Sequence, residues 1–219
     1  MLFHDRVDAG RRLGNALQAY KNQSDSLIIA LPRGGVVVGY EIATMLHLPL
    51  DVVCPRKIGA PINPELAIGA VTETGEGILS QALIQELGVS DSFIKAEIAQ
   101  EKAIAQSRLN RYRKGRPPRD LKGKHVILVD DGLATGATMR AAIKTVKAED
   151  AQEIIMAVPV APPETLEKLE KEVNKTFCLL APDYFYAVGQ FYALFDQTSD
   201  EEVIDLLESA LKFEFKNFS

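Results

Sequence analysis

The residues best equipped for chemistry in this chain are two adjacent carboxylates, Asp130 and Asp131, that close the apolar run VILV at 126–129. Behind them comes GLATGAT, a run of small residues and hydroxyls that contains no lysine. A helix starting behind such a loop turns its first backbone N–H groups and the positive end of its dipole toward an anion, and Thr135 and Thr138 add hydroxyl donors. Carboxylates next to that cup would repel a bare phosphate. They suit the hydroxyls of a sugar attached to it, because an ionised Asp accepts hydrogen bonds. The combination reads as a sugar-phosphate site, with a capped tight turn as the plain alternative.

Three further segments carry candidate groups. LPRGGVVVG offers Arg33 at a strand end, then Gly34 and Gly35, which let the backbone approach a ligand closely just before a helix. In CPRKIGAPINPE, Arg56 and Lys57 follow an expected strand, LPLDVVC, and should project from the same sheet edge; an ordinary surface charge pair is the alternative. PDYFYAVGQFYALFD at 182–196 concentrates aromatic residues in a chain with no tryptophan. Aromatic faces there could stack on a base, or form a minor core beneath the last helix. The segment 108–124 is strongly basic, with Tyr112 among its cations, and fits either a nucleic-acid patch or a solvated helix end and linker. His4, His47 and His125 are scattered with no metal-ligand spacing, so no protein-built zinc site is expected; GxSxG and GxxxxGK[ST] are absent.

These groups need a scaffold, and the chain alternates strand and helix signals. Val7, Leu13, Leu17 and Tyr20 make one face of an N-terminal helix. SLIIAL, LPLDVVC, LAIGAVT, HVILV, EIIMAVPV and KTFCLLA read as strands. VVVGYEIATML, a stretch ending at Gly88, a longer one from Ser90 to about Arg113, ATMRAAIKTVKAE and PPETLEKLEKEV read as helices. SDEEVIDLLESALK is a closing helix with Ser199 as N-cap and Glu202 three residues on. His125 should open a strand and His47 should lie at a helix C-terminus. Alternation of this kind predicts a mostly parallel sheet with right-handed crossovers. The 219 residues, 47% apolar, suffice for a sizeable core, and a net charge of −5 argues against nucleic acid as a partner for the whole surface. No apolar run approaches the ~18 residues of a membrane span. Cys54 and Cys178 sit in apolar segments far apart and read as reduced thiols, which predicts a cytoplasmic protein.

The run VILVDDGLATGATM resembles the ribose-phosphate signature of type I phosphoribosyltransferases, in which two acids and a TG-containing loop hold 5-phosphoribosyl 1-pyrophosphate (PRPP). The resemblance covers about residues 26–190. It implies an α/β fold of the type I phosphoribosyltransferase kind, a mostly parallel twisted sheet flanked by helices, with a small hood and a helical insertion. It implies one domain over 1–219, with a core of about 26–180, an insertion at about 80–115, and the hood and last helix at about 181–219. By that resemblance Asp130 and Asp131 hold the ribose hydroxyls, and Ala134, Thr135, Gly136, Ala137 and Thr138 wrap the 5′-phosphate. LPRGG is similar to the pyrophosphate loop, which assigns Arg33, Gly34 and Gly35 to the pyrophosphate. R-K-x-G-x-P is similar to a segment of adenine phosphoribosyltransferases, which gives Arg56 and Lys57 to the leaving group. The region 55–77 would then be the flap over the site. P-D-x-F-x-x-V-G loosely resembles the hood of hypoxanthine-guanine enzymes, with Phe185, Tyr186 and Val188 at the base.

The implied reaction is transfer of the phosphoribosyl group from PRPP to a base or base-like small-molecule acceptor with release of pyrophosphate. Mg²⁺ is the implied cofactor, carried in by PRPP without dedicated protein ligands beyond contact through Asp130 and Asp131. Hypoxanthine-type enzymes place an aspartate at the position of Ala134, so a general base would come from elsewhere, Asp183 or Glu65. A homodimer is a family prior. Two other readings stay open: a PRPP-sensing regulator that binds RNA or DNA through 108–124, and a hydrolase or phosphotransferase acting on another sugar phosphate.

Overall fold

The computed structural model describes residues 2–64 and 66–217, with side chains described through 212. Helix α1 (Arg6–Ala16) starts at Asp5, whose carboxylate accepts the N–H of Asp8 at 2.8 Å. Its buried face is Ala9, Gly10, Leu13 and Gly14. Strand β1 (Ser26–Ala30) runs into α2 (Gly34–Leu46), which begins earlier than VVVGYEIATML suggested because Gly34 and Gly35 already form its first turn. It ends at His47, with φ +55°, followed by β2 (Leu50–Val52).

The next three strands depart from the expected order. β3 (Arg56–Gly59), β4 (Ala67–Val71) and β5 (Gly77–Leu79) form a separate antiparallel sheet in the order β3-β4-β5. LAIGAVT is thus a strand, but not one of the parallel sheet. Arg56 and Lys57 belong to this second sheet rather than following β2 along its own edge. Short runs separated by tight turns pair locally, and GIL at 77–79 carries too little pattern to announce a third strand. Helix α3 (Gln81–Glu86) stops before Gly88, at φ +60°, and α4 (Asp91–Tyr112) is capped by Ser90. Ile58, Ala60, Ile68, Val71, Ile84 and Ile94 join this sheet to the two helices as a small core of their own.

β6 (His125–Val129), α5 (Ala137–Ala148), β7 (Glu153–Val160), α6 (Pro163–Glu170) and β8 (Lys175–Leu180) complete the alternation, and α7 (Asp200–Asn217) closes it with Ser199 Oγ accepting the Glu202 N–H at 3.0 Å. The main sheet is parallel throughout, in the order β2-β1-β6-β7-β8. One face packs on α1, α2 and α7 through residues such as Leu13, Ile42 and Leu207, the other on α5 and α6 through Met139, Ile143 and Leu169. Burial on both faces explains why the strands read as unbroken apolar runs.

The basic segment 108–124 is solvated in part, with Lys114 and Lys122 exposed, but four of its arginines are committed to protein contacts. Arg111 donates to Asp200 at 2.8 Å and to Glu201 at 2.6 Å, and Arg113 grips Asp51 with two bonds of 2.8 and 2.9 Å. Arg116 donates to the backbone carbonyls of Leu50 and Leu207. Arg119 is 8% exposed, donates to Glu73 and Glu149, and reaches the Val52 carbonyl at 2.8 Å. These arginines staple the segment to the edge strand β2, to α7 and to Glu73 and Glu149, because a planar guanidinium can satisfy carboxylates and carbonyls together.

Candidate active site

Strand order reverses between β1 and β6: from β1 the chain steps to β2 on one side and later to β6 on the other. In open α/β sheets that is where a crevice opens at the carboxyl ends of the strands. Ala30 is in register with Val129, and the Leu31 N–H donates to the Val129 carbonyl at 2.9 Å. The PRGG turn and the acid pair therefore leave the sheet at the same level, side by side.

Glycine is required where the two loops meet. A Cβ on Gly34 would lie 2.0 Å from Asp131 Oδ2, and one on Gly35 would lie 3.0 Å from Asp130 Oδ1. On the far side, Gly132, at φ +152°, faces Val188 so closely that a Cβ would stand 2.5 Å from its Cγ1. Val188 is accordingly the hood residue placed directly against the Asp-Asp-Gly turn.

The two acids differ in their surroundings. The backbone N–H of Asp131 donates to Asp130 Oδ1 at 2.9 Å. Burial first, then the charge of Asp131, hold the Asp130 carboxyl well above the usual carboxylate range. Asp131 instead has a cation: Arg6 Nε donates to its Oδ2 at 2.7 Å. The hydroxyl of Tyr192 donates to the backbone carbonyl of Asp131 at 2.6 Å, and burial raises the Tyr192 hydroxyl far out of its titrating range. Neither Arg6 nor Tyr192 stands out in the sequence, since one lies near the start of an ordinary amphipathic helix and the other among six clustered aromatics.

The cup follows. Thr165 Oγ1 donates to the Ala134 carbonyl at 2.7 Å, and Gly136, the N-cap of α5, takes φ +73° against Thr165 and Leu169. Ala134 and Thr135 are exposed, while Ala137 and Thr138 are half-buried at the first turn of α5. Thr138 also lines a polar cleft of about 550 Å³ with Pro32, Arg56, Lys57, Phe93, Glu97, Glu101 and Arg108. The second sheet and α4 thus form most of this cleft, which meets the PRGG turn at Pro32 and the cup at Thr138.

Within it the expected cations are not equivalent. Arg56 Nε is bound to Glu101 at 2.6 Å, whereas Lys57 has no ion pair among the described residues. Arg108 also lines the cleft without an ion pair among the described residues. Reading it as part of a basic run hid it; its spacing from Phe93, Glu97 and Glu101, four or seven residues at a time, was the available signal for a shared helix face. Arg33 stands at the N-cap of α2 with Nη1 3.8 Å from Asp200 Oδ1.

The hood is arranged differently from expectation. Phe185 packs on Phe191 with centroids 5.3 Å apart, and Tyr186 is 89% exposed. The aromatic cluster is a core, though not beneath α7: Phe191 and Tyr192 bury with Phe3, Ala9 and Val160, and Phe3 pairs with Tyr192 as an isolated parallel bridge. Asp183 is exposed, and Glu65 lies outside the described residues.

Among the described residues no three or more His, Cys, Asp or Glu groups converge as a metal cage. Asp130 and Asp131 are hard oxygen donors whose crowded negative charge a divalent cation would relieve, so they fit Mg²⁺ held jointly with a phosphorylated ligand. No helix among the described residues is long and apolar enough to cross a membrane.

Comparison with known proteins points the same way. A crystal structure of TT1426 from Thermus thermophilus is 42% identical and superposes with a TM-score of 0.80, covering 95% of this chain and 99% of that one. A Mycobacterium tuberculosis protein bearing a provisional phosphoribosyl transferase name is 39% identical over 209 residues, which are 95% of this chain and 47% of that protein. The chain thus spans about half the length of that relative. An adenine phosphoribosyltransferase from Helicobacter acinonychis is 29% identical over 164 residues, covering 68% of this chain and 88% of that enzyme. The model of the phosphoribosyl transferase domain matches residues 4–196. With its parallel sheet, its acid pair and its cup at the switch point, the chain belongs to the phosphoribosyl transferase domain family.

Proposed function

We propose that this chain is a Mg²⁺-dependent phosphoribosyltransferase that uses PRPP as donor and a nucleobase or base-like small molecule as acceptor. The observation that carries the reading is the abutment of the Arg33-Gly34-Gly35 turn on the Asp130–Asp131 pair, just past the carboxyl ends of β1 and β6, where Ala30 and Val129 are in register. It sets a backbone surface for one anionic group beside acceptors for two hydroxyls, with the Ala134–Thr138 loop as a second anion cup on the same edge. PRPP presents those groups in that order: pyrophosphate, ribose hydroxyls, 5′-phosphate.

In the reaction a bond forms between an acceptor nitrogen and C1 of the ribose, and the bond from C1 to pyrophosphate breaks with its electron pair leaving on the pyrophosphate. Positive charge develops on the ribose, so carboxylates at its hydroxyls lower the barrier while cations receive the leaving group. Asp130 and Asp131 take the first role. Arg33, Lys57 and the backbone at Gly34 and Gly35 take the second, with Arg56 oriented by Glu101. Mg²⁺, when bound, neutralises pyrophosphate charge. Val188, against Gly132, is the base-side contact best supported by placement; Phe185 shapes the hood behind it, and Tyr186 stands in solvent. Ala134 disfavours hypoxanthine or guanine as acceptor. The free thiols Cys54 and Cys178 support a reducing cytoplasmic location. PRPP, the acceptor and a second copy of the chain are the proposed partners.

Engagement of Arg111, Arg113, Arg116 and Arg119 in protein contacts removes much of the support for a nucleic-acid-binding regulator. Pyrophosphate release from PRPP and Mg²⁺, measured across a panel of nucleobases and without base, tests the proposal. Release that depends on one base is expected. Equal release with and without base would make the protein a hydrolase, and none with any base would overturn the transferase reading.

A further inference from the structure

We propose that Arg6 is a positioning residue for the donor site, holding the Asp131 carboxylate in place from outside the loops that form the site. The proposal rests on the PRPP reading given above and adds a residue from α1, far from the signature in sequence, together with the part of the hood that supports it.

Arg6 is fixed on three sides. Its Nε donates to Asp131 Oδ2 at 2.7 Å, its Nη1 donates to the Asp196 carbonyl at 2.6 Å, and its guanidinium lies over the Phe195 ring, 3.9 Å from the centroid. The Arg6 and Asp131 side chains are only 13% and 16% exposed, so the pair is shielded from the solvent that makes surface ion pairs weak. A Cβ on Gly34 would lie 2.6 Å from Nε, which sets the guanidinium against the PRGG turn as well as the acid.

Two of these contacts, with Phe195 and the Asp196 carbonyl, come from the hood segment and do not involve Asp131. The guanidinium is therefore held in place before any ligand arrives, and it grips one oxygen of Asp131. Tyr192 holds the Asp131 backbone from the same hood segment and stacks on Phe195 at 4.9 Å. Two other aromatics of the same cluster, Tyr192 and Phe195, thus brace Asp131 and Arg6. A planar guanidinium with a stacked face and two fixed bonds sets the orientation of a carboxylate, whereas a lysine would supply charge without the fork.

The alternative role is competition: an arginine on Asp131 could block the hydroxyls that the acid should accept. The two roles predict opposite effects, and Mg²⁺-dependent PRPP binding measured by calorimetry separates them. The proteins compared are the full chain and its Arg6→Ala, Arg6→Lys and Phe195→Leu variants, each checked for an unchanged circular dichroism spectrum. Positioning predicts PRPP binding weaker by about tenfold or more in Arg6→Ala, partly recovered in Arg6→Lys, and weakened to a smaller extent in Phe195→Leu. Phe195→Leu keeps the test open if Arg6→Ala does not fold, because Phe195 is partly exposed. Unchanged or tighter binding in Arg6→Ala, or in Phe195→Leu where it alone folds, would overturn the proposal while leaving the donor site standing. Absence of PRPP binding by the unaltered chain would overturn the donor reading itself and this proposal with it.

Discussion

Asp130 and Asp131 are adjacent in sequence and unlike in environment. Asp131 faces Arg6, while Asp130 is held above the usual carboxylate range by burial and by its neighbour's charge. A carboxyl whose native value lies above its unfolded one binds its proton more tightly in the folded chain. Its contribution to stability is complete below the unfolded value near 3.8 and falls away as pH rises through the raised native value. Asp130→Asn, which cannot ionise, should be more stable than the parent at neutral pH and lose that advantage near pH 4. Thermal melts of the two proteins across that range check it, and a constant offset would show that the carboxyl does not titrate as described. The pair itself was legible in the sequence because strand, acids and glycine loop are contiguous. Arg6 and Tyr192 were not, because each reaches the site from another element and nothing in its local spacing marks it, and Arg108, though spaced on one helix face with Phe93, Glu97 and Glu101, was hidden within a basic run.

At the scale of elements, the parallel strands and their helices were readable from apolar runs and caps: Ser90 and Ser199 both accept from the residue three positions on, and Gly88 ends its helix in the left-handed region. The second sheet was not: of its three strands only LAIGAVT was readable, since the other two, of four and three residues, give no period to read, and the sheet packs on α3 and α4 as a separate core. The PRGG turn shows how tightly elements abut. Gly34→Ala should preserve the fold yet abolish PRPP binding, because its Cβ meets the Asp131 carboxylate and displaces it; calorimetry with PRPP is the check, and retained affinity would contradict the described packing. The second sheet is tied to the core through Arg119, whose partner Glu73, just beyond β4, also accepts the Cys54 N–H at 2.9 Å. Arg119→Ala leaves buried carboxylates without a cation and should cost about 3 kcal/mol, seen as a midpoint lowered by about 6–12 °C. A change near zero would mean that the ion group does not hold the sheet.

At the scale of the whole molecule, two walls face each other across one cleft. From the main sheet's side Pro32 of the PRGG turn and Thr138 of the cup line it, with the acids packed against Gly34 and Gly35 of that turn, and the second sheet with α4 supplies Arg56, Lys57 and Arg108. The hood sets Val188 against Gly132 and holds Asp131 through Tyr192, and Arg6 of α1 holds the same acid by its carboxylate. This division accounts for what sequence reading could and could not reach. The acid pair and the cup are local and carry a signature, whereas the hood and the second sheet reach the site from elsewhere in the chain, and their aromatic and basic residues turn out to be partly committed to packing and ion pairs. Binding of PRPP to the intact chain, by calorimetry with and without Mg²⁺, is the most direct test of the central claim. The account predicts binding that requires Mg²⁺ and is lost in the Asp130→Asn, Asp131→Asn double variant; affinity unchanged in that variant would contradict it.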